Sequence, residues 1–433
     1  MLGLNLPNQL EFITVSSCRL CGSNDLLVVL KLPDTPFGDR YLLPGQGAKH
    51  ANLIPLEIVQ CSVCSNFQTS VVVNVNSMYE HYLSRPAPVN NVLSASYREY
   101  AEHLEDLLEL EPKDLVVEIG SNDGFFTSHF ASRGVRCLGV DPAQNLSEIA
   151  LERGVRTKSM FFASSVADQI KDENGSAKLI VANMVVANVP NLDDFMTGVK
   201  KLLASDGIYA METNYALDVV DNLQLEVINH EHITYFSVTS LSKFLERHGL
   251  EIFAARRVVS KSGALRCYVQ HKGGKFDVQE SVSSAMSFES NFGLFLPSVW
   301  ASMAKSIEHV RYAAKKYFAE KKKSEVIGYG TSIGATTILY SLDIGYVFDA
   351  LIDDDPCRQG LESPGFAIPT VSRQKVFLDP VRAKFCALLA PRYVTQIIEN
   401  NQPALASGVT FVRVWPILEE VPNRQWQIVR PKT

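Results

Sequence analysis

Two C-x-x-C pairs near the start of the chain restrict its fold more than any other feature. Cys18 and Cys21 form the first pair, and Cys61 and Cys64 form the second. Each C-x-x-C turn directs two thiolates toward one point, so two such turns complete a tetrahedron around Zn²⁺. A closed four-cysteine site stabilises a small domain that has little core of its own. The pairs therefore predict a structural zinc site in a short, loop-rich domain over residues 1–75. A redox pair or two unrelated motifs are the alternatives.

Length and composition limit what the rest of the chain can be. The 433 residues are too many for one ordinary core, so two or three domains are expected. The net charge of −6 gives no electrostatic reason to expect nucleic acid as a partner. No run approaches the roughly 18 apolar residues of a membrane span, and the first residues, M-L-G-L-N-L-P-N-Q-L, do not resemble a signal peptide. We predict a cytoplasmic protein without membrane contact, either a monomer or a small homo-oligomer.

Strand and helix patterns alternate along the middle of the chain, which indicates an α/β fold with a parallel sheet and helices on both faces. The strand candidates are residues 115–119, 136–140, 179–182, 207–211, 251–259 and 264–271, the last as a candidate antiparallel strand. The helix candidates are residues 94–110, 125–132, 147–153, 192–203 and 239–248. Residues 153–171 show no clear pattern and could hide a further strand. We predict an α/β domain over 76–277, a helical connector over 278–322 and a second α/β domain over 323–433.

A glycine-bearing turn follows the first strand of the central domain, in V-V-E-I-G-S-N-D-G-F-F. Gly120 and Gly124 allow the backbone to approach a ligand closely. Asp141, in G-V-D-P, ends the next strand, where an acid accepts hydrogen bonds from the ribose hydroxyls of nucleotide ligands. This arrangement predicts an adenosine-containing ligand at the turn.

The turn does not have the spacing of a dinucleotide site, because Ser121-Asn122-Asp123 fills its middle. A pyrophosphate needs free backbone N–H groups, and Asp123 with Glu118 below it would repel one. The turn suits a ligand with a cationic amino-acid tail and resembles the S-adenosylmethionine site of class I methyltransferases. Another adenosine ligand, or none, is the alternative. The predicted cofactor-binding residues are Glu118, Gly120, Asn122, Asp123, Gly124, Asp141, Pro142 and Asn183, the last at the carboxyl end of the predicted fourth strand.

The stretch N-H-E-H-I-T-Y-F-S, residues 229–237, has three interpretations. Two histidines around a glutamate could bind a metal, but no third ligand is obvious. A buried histidine bonded to Glu231 for structural reasons is the second. General base catalysis is the third, since histidine titrates near neutral pH and a carboxylate can orient it. Asn188 lies just past the fourth strand, on the side where a substrate would face the methyl group.

The second α/β domain opens with E-V-I-G-Y-G-T-S-I-G-A-T-T-I-L-Y. Gly328, Gly330 and Gly334 could bind a ligand or only close a strand–helix turn. The acidic run 353–355 is more typical of a turn than of a metal site.

Nearly the full chain is similar to the sugar C-methyltransferases of deoxysugar pathways. These join a four-cysteine zinc domain, a class I methyltransferase domain and a C-terminal Rossmann-like domain. Here G-Y-G-T-S-I-G-A resembles the family's G-Y-G-A-x-x-K-G, and I-D-D-D-P-C-R-Q-G-L-E-S-P-G resembles D-x-x-P-x-K-Q-G-x-x-x-P-G. S-G-A-L-R resembles the family's G-G-S-L-R. The order of these motifs is specific to the family, though not to one substrate.

The resemblance implies methyl transfer to carbon, C3 in the family, of a nucleotide-linked 4-keto-deoxysugar. His232, which ends H-E-H, would be the base, Glu231 would orient the base or hydrogen-bond the sugar, and His230 would support the loop. The predicted substrate contacts are Tyr82, Tyr235, Arg266, Tyr329 and Arg358.

Three positions depart from the family pattern. Asn229 replaces a tyrosine, Asn188 replaces a histidine, and Glu80 replaces the first tyrosine of Y-x-Y-x-S. Asparagine can donate a hydrogen bond to an oxyanion but cannot act as an acid or base near neutral pH. Acid–base work would then fall on His232, with Glu231 beside it. An O-methyltransferase on the same scaffold and a non-catalytic zinc-bearing binding module stay open as alternatives.

Overall fold

A computed structural model describes residues 11–48, 51–74, 79, 91–258, 263–377 and 383–421. The described residues form two compact units, each built from separate stretches of sequence. The first unit takes those of 1–30, 57–222 and 230–300, and the second takes those of 31–56, 223–229 and 301–433.

The segment around the cysteines contains more strand than the loop-rich domain that the sequence predicts. Its strands are β1 (Phe12–Thr14), β2 (Leu26–Thr35), β3 (Ile54–Cys61), β4 (Phe67–Thr69) and β5 (Val71–Val73). β1 pairs with β5, and the others join β11 (Thr234–Tyr235) in a sheet of order β11-β4-β3-β2. The alternating burial of I-P-L-E-I-V in β3 is a strand signal that the loop interpretation overlooked.

A seven-stranded sheet forms the centre of the first unit and confirms the predicted α/β fold. Its order is β12-β13-β10-β9-β6-β7-β8, and β13 runs antiparallel to both of its neighbours. The strands are β6 (Leu115–Ile119), β7 (Arg136–Val140), β8 (Arg156–Lys158), β9 (Ala177–Asn183), β10 (Leu203–Thr213), β12 (Leu250–Val258) and β13 (Ala264–His271). β11 (Thr234–Tyr235) belongs to the other sheet, where it pairs with β4. The region without a clear pattern does contain a strand, β8.

Helices cover this sheet and bury its centre, so that every residue of the central strand β6 is buried. Tyr100 and Leu104 of the first helix pack with Phe126, Phe130 and Val181 in one apolar core. The helices are Asn91–Leu108, Ser128–Ala131, Gln144–Glu152, Ser164–Asn174, Leu192–Leu202, Ala216–Asp221, Val238–Arg247 and Glu280–Phe292, with a 3₁₀ turn at Val186–Asn188. Helix Pro297–Ala319 follows them along the chain.

The second unit holds a six-stranded sheet of order β16-β15-β14-β17-β18-β19, parallel except for β19. Its strands are β14 (Val326–Tyr329), β15 (Ala350–Ile352), β16 (Thr370–Val371), β17 (Phe385–Leu388), β18 (Thr410–Arg413) and β19 (Glu419–Glu420). Its helices are Ile333–Leu342, Arg373–Phe377, Val394–Asn400 and Gln402–Ala406, with 3₁₀ turns at Leu225–Val227, Lys323–Glu325, Gly345–Val347 and Pro391–Tyr393. Among the described residues, no helix combines the length and the apolarity needed to cross a membrane.

Candidate active site

The four paired cysteines converge on one point. Both C-x-x-C turns close in the same way, with the amide four residues after the first cysteine donating to that cysteine's carbonyl. Gly22 donates to Cys18 at 2.8 Å, and Ser65 donates to Cys61 at 2.9 Å. Gly22 and Ser65 both have positive φ, which lets each turn reverse sharply.

The sulfur atoms of the four cysteines fit a tetrahedral zinc ion. All four lie within 4.8 Å of one another, with Cys18 3.4 Å from Cys64 and Cys21 3.5 Å from Cys61. Zinc–sulfur bonds of about 2.3 Å place tetrahedral sulfurs about 3.8 Å apart. Since four thiolates fill the coordination shell, such a zinc ion is structural and leaves no position for a substrate.

The glycine turn after β6 is held by the acid that ends β7. The amide of Asn122, which has a φ of +49°, donates to one carboxylate oxygen of Asp141 at 2.9 Å. The amide of Ala143 donates to the other oxygen at 2.8 Å. Each oxygen keeps a lone pair for a ribose hydroxyl. Pro142 lies between Asp141 and Ala143 and is half-buried. At Gly120, φ is +73° and a Cβ would clash with Val185, so only glycine fits there.

The two other acids near this turn are engaged by the protein itself. A carboxylate oxygen of Asp123 lies 2.8 Å from the guanidinium of Arg153. Glu118 is buried below the turn and accepts a hydrogen bond from the Thr127 hydroxyl. Burial raises the pKa of Glu118 to about 8. Neither acid presents an unscreened negative charge, so the repulsion that the sequence suggested against a pyrophosphate is weaker than expected. Arg153 carried no sequence signal for this role.

Asn183 is the clearest vacant polar group at the carboxyl edge of the sheet. Both its amide nitrogen and its amide oxygen are buried and find no hydrogen-bond partner among the described residues. Buried amides without partners are costly, and ligands bind at this edge in open α/β sheets. Asn183 and Asp141, on either side of the glycine turn, therefore fit the polar groups of S-adenosylmethionine.

Asn188 ends the 3₁₀ turn that follows β9. Its amide nitrogen lies 3.5 Å from the hydroxyl of Tyr79, and its buried amide oxygen has no partner in the described chain. Tyr79 was not predicted. The only sequence signal for it is its place three residues before the predicted contact Tyr82, which lies outside the described residues.

The H-E-H stretch forms a loop directly before β11. His230 and Glu231 are buried, at 3% and 6% exposure, and His232 is half-buried. The amide of Ile233 donates to the carbonyl of Ala187 at 2.9 Å, which ties this loop to the turn that carries Asn188. The structure thus brings together the H-E-H loop and the turn with Asn188, two segments predicted to contact the methyl acceptor. They lie at the carboxyl edge of the sheet, which we call the donor edge because the predicted methyl-donor residue Asn183 is there.

Two further predicted residues in the first unit are buried. Tyr235 is fully buried, and its backbone pairs with Phe67 of β4. Arg266 donates to Glu212 at 2.7 Å, and its guanidinium lies over the ring of Tyr100 at 3.4 Å. These contacts give Arg266 a structural partner on the neighbouring strand.

The predicted contacts in the second unit are likewise engaged with protein. The hydroxyl of Tyr329 donates to Asp354 at 2.9 Å. Arg358 pairs with Asp39 at 2.6 Å and donates to the carbonyl of Thr331 at 3.1 Å. Asn229 also belongs to this unit, and its side-chain amide donates to the carbonyl of Val227 at 3.2 Å.

Three family models match the chain in order. A zinc binding domain model matches residues 18–79, a methyltransferase domain model matches 93–255, and a C-methyltransferase C-terminal domain model matches 260–416. With the sheet order and the donor edge described above, these matches define an S-adenosylmethionine-dependent methyltransferase with a zinc-binding four-cysteine cluster.

A curated relative is similar to nearly the whole chain. The chain is 28% identical over 403 residues to the C-methyltransferase NovU of Streptomyces niveus, covering 92% of this chain and 95% of NovU. This similarity extends over nearly the whole chain and is not confined to the methyltransferase domain.

Solved methyltransferases resemble part of the chain. Magnesium protoporphyrin IX methyltransferase from Synechocystis, with bound S-adenosylhomocysteine, is 12% identical with a TM-score of 0.33, covering 43% of this chain and 89% of that one. Geranyl diphosphate C-methyltransferase from Streptomyces coelicolor is 13% identical with a TM-score of 0.31, covering 43% and 84%.

Proposed function

We propose that this C-methyltransferase acts on a nucleotide-linked 4-keto-deoxysugar and methylates the carbon next to the ketone, C3, with His232 as the base. The observation that carries the proposal is the hydrogen bond from Ile233 to Ala187, because it holds the H-E-H loop against the turn that bears Asn188. A base and an amide donor are thereby kept next to the vacant donor edge at Asn183.

The chemistry needs these groups in this arrangement. His232 takes a proton from the carbon beside the ketone, and the electron pair moves into an enolate whose oxygen becomes negative. The amide of Asn188 is a donor that can hold this oxygen. S-adenosylmethionine, when bound, supplies the methyl group, which the enolate carbon accepts as S-adenosylhomocysteine leaves. Positioning provides much of the acceleration in such a transfer.

Glu231 orients His232 in this proposal, and His230 supports the loop. Asp141 and Asn183 hold the donor, and the backbone turn at Gly120, Asn122 and Gly124 shapes its site. Cys18, Cys21, Cys61 and Cys64 hold a structural zinc.

The test is incubation with S-adenosylmethionine and a panel of dTDP-, GDP- and CDP-linked 4-keto sugars, with NMR of each product. We expect one new methyl on a ring carbon and loss of the hydrogen there. A methyl attached to oxygen would instead establish O-transfer with His232 deprotonating a hydroxyl. No product with any sugar would contradict the assigned acceptor class.

A further inference from the structure

The first cysteine turn carries an arginine directly after its first ligand. The side chain of Arg19 reaches beyond the turn to two other elements of the first unit. Its Nε donates to the hydroxyl of Thr234 at 3.1 Å. One terminal nitrogen donates to the carbonyls of Val189 at 2.5 Å and of Pro190 at 2.8 Å. A single guanidinium thus holds three acceptors on two separate segments.

These two segments carry the proposed acceptor groups. Thr234 lies two residues after His232, and Val189 directly follows Asn188. The two segments are also linked directly, by the backbone hydrogen bond from Ile233 to Ala187 in the turn after β9. Arg19 therefore joins these two segments to each other, as a brace. Because it directly follows the zinc ligand Cys18, it also joins both segments to the cysteine turn.

The backbone of Arg19 is fixed independently of its side chain. Its amide donates to the side-chain oxygen of Gln68 at 2.8 Å, and the side-chain nitrogen of Gln68 donates to the carbonyl of Ser17 at 3.0 Å. Gln68 lies opposite Thr234 in the β4–β11 pair. The cysteine turn, β4 and β11 are thus joined by both backbone and side-chain contacts.

We propose that Arg19 is a positioning residue for methyl transfer, through which the zinc-binding turn fixes His232 relative to Asn188. The roles of those two residues rest on the proposed function, whereas the brace itself does not. Arginine suits this task because its planar fork presents several donors in fixed directions. Lysine at this position would keep the charge but could not hold the three acceptors with one rigid group.

The experiment is Arg19→Gln in the full-length, zinc-loaded protein. We expect unchanged zinc content and unchanged affinity for S-adenosylhomocysteine, because neither the cysteines nor Asp141 is touched. Amides of residues 229–236 should exchange with heavy water about tenfold faster as the brace is lost. The kcat with the keto-sugar should fall about 10–100-fold, since a displacement of about 1 Å can cost this much. Arg19→Lys should recover part of both effects.

Arg247→Gln is the matched control. The guanidinium of Arg247 donates to the carbonyl of Leu20 in the same turn, so its loss weakens the turn without removing a contact to Thr234 or Val189. Equal effects of Arg247→Gln and Arg19→Gln on exchange would overturn the proposal, as would unchanged exchange in Arg19→Gln.

A second variant covers the case in which Arg19→Gln loses zinc. Thr234→Val removes the contact that Arg19 makes with β11, leaves the cysteines unchanged, and should accelerate exchange at 229–236 with zinc retained. Failure to do so would contradict the brace. If no sugar is methylated, the proposed function fails, while exchange and donor affinity still decide the role of Arg19.

Discussion

The two α/β units each contain a strand, a glycine-bearing turn and a helix, and they use the same device to hold the turn. In the first unit the amide of Asn122 donates to Asp141 at 2.9 Å, and in the second the amide of Thr331 donates to Asp353 at 3.0 Å. In each case the acid comes from the end of the next strand. The backbone pattern alone therefore does not tell a donor site from a structural turn.

The surroundings of the two turns differ. Beside the first turn, the amide of Asn183 is buried with no partner among the described residues. Beside the second, Asp353 also accepts from the hydroxyl of Thr331, and Tyr329 is bonded to Asp354 and to Asn401. The place of a Cβ at Gly334 is occupied by the backbone of Glu226. Protein groups thus engage Thr331, Asp353 and Tyr329 at the second turn, while the Asn183 amide beside the first turn is left for a ligand.

Matched replacement of the two acids should separate the turns most strongly. Asp141→Asn should weaken S-adenosylhomocysteine binding about 10–100-fold, because a charged acceptor for the ribose is lost. Asp353→Asn should leave this affinity unchanged and lower the free energy of unfolding by about 1–3 kcal/mol, since it removes an acceptor for Thr331. Calorimetric titration and urea unfolding measure the two effects. Equal loss of donor affinity in both variants would show that the two turns do not differ in their role in donor binding.

Replacing Asn183 beside the first turn and Asn401 beside the second should separate ligand binding from stability at the two turns. Asn183→Ala should reduce donor affinity about tenfold, yet leave the unliganded protein as stable or more so, because an unpartnered buried amide is removed. Asn401→Ala should cost about 1–3 kcal/mol of stability without changing donor affinity, because the Asn401 amide donates to the carbonyl of Ile397 at 2.7 Å. A clear loss of stability in unliganded Asn183→Ala would show that its amide already has a partner.

Glu118 also separates the two turns, because only the first unit has an acid in the strand below its turn. Burial raises the pKa of Glu118 from 4.5 to about 8. Between these values the folded chain keeps a proton that the unfolded chain has released, so stability falls as pH rises through this window. Glu118→Gln cannot ionise, and its stability relative to the wild type should increase by roughly 4 kcal/mol from pH 4.5 to pH 8. Denaturant unfolding at several pH values tests this, and parallel curves would contradict it.

The sequence predicted the central sheet well because its strands are apolar runs bounded by turn residues. Leu115–Ile119 and Arg136–Val140 were placed to the residue. The strand Arg156–Lys158 was not predicted, because three partly exposed residues carry no periodic signal. In the cysteine segment, the turn residues hid the alternation of Ile54–Cys61.

The site was predictable only where local motifs mark it. The cysteines, Gly120 and Asp141 follow from spacing, since each turn is built from neighbours in sequence. Arg19 and Tyr79 contact residues more than 100 positions away, and no local pattern reports such contacts. The assignment of residues 223–229 to the second unit likewise depends on tertiary packing.

The proposed role of His232 is to remove a proton from the carbon that receives the methyl group. The most direct measurement is mass spectrometry of the keto-sugar incubated in heavy water with enzyme and S-adenosylhomocysteine, which cannot transfer a methyl group. We expect the wild type to introduce one deuterium beside the ketone, and His232→Asn to introduce none although it binds S-adenosylhomocysteine as tightly. Exchange in His232→Asn at the wild-type rate would show that another group is the base and that His232 does not remove this proton.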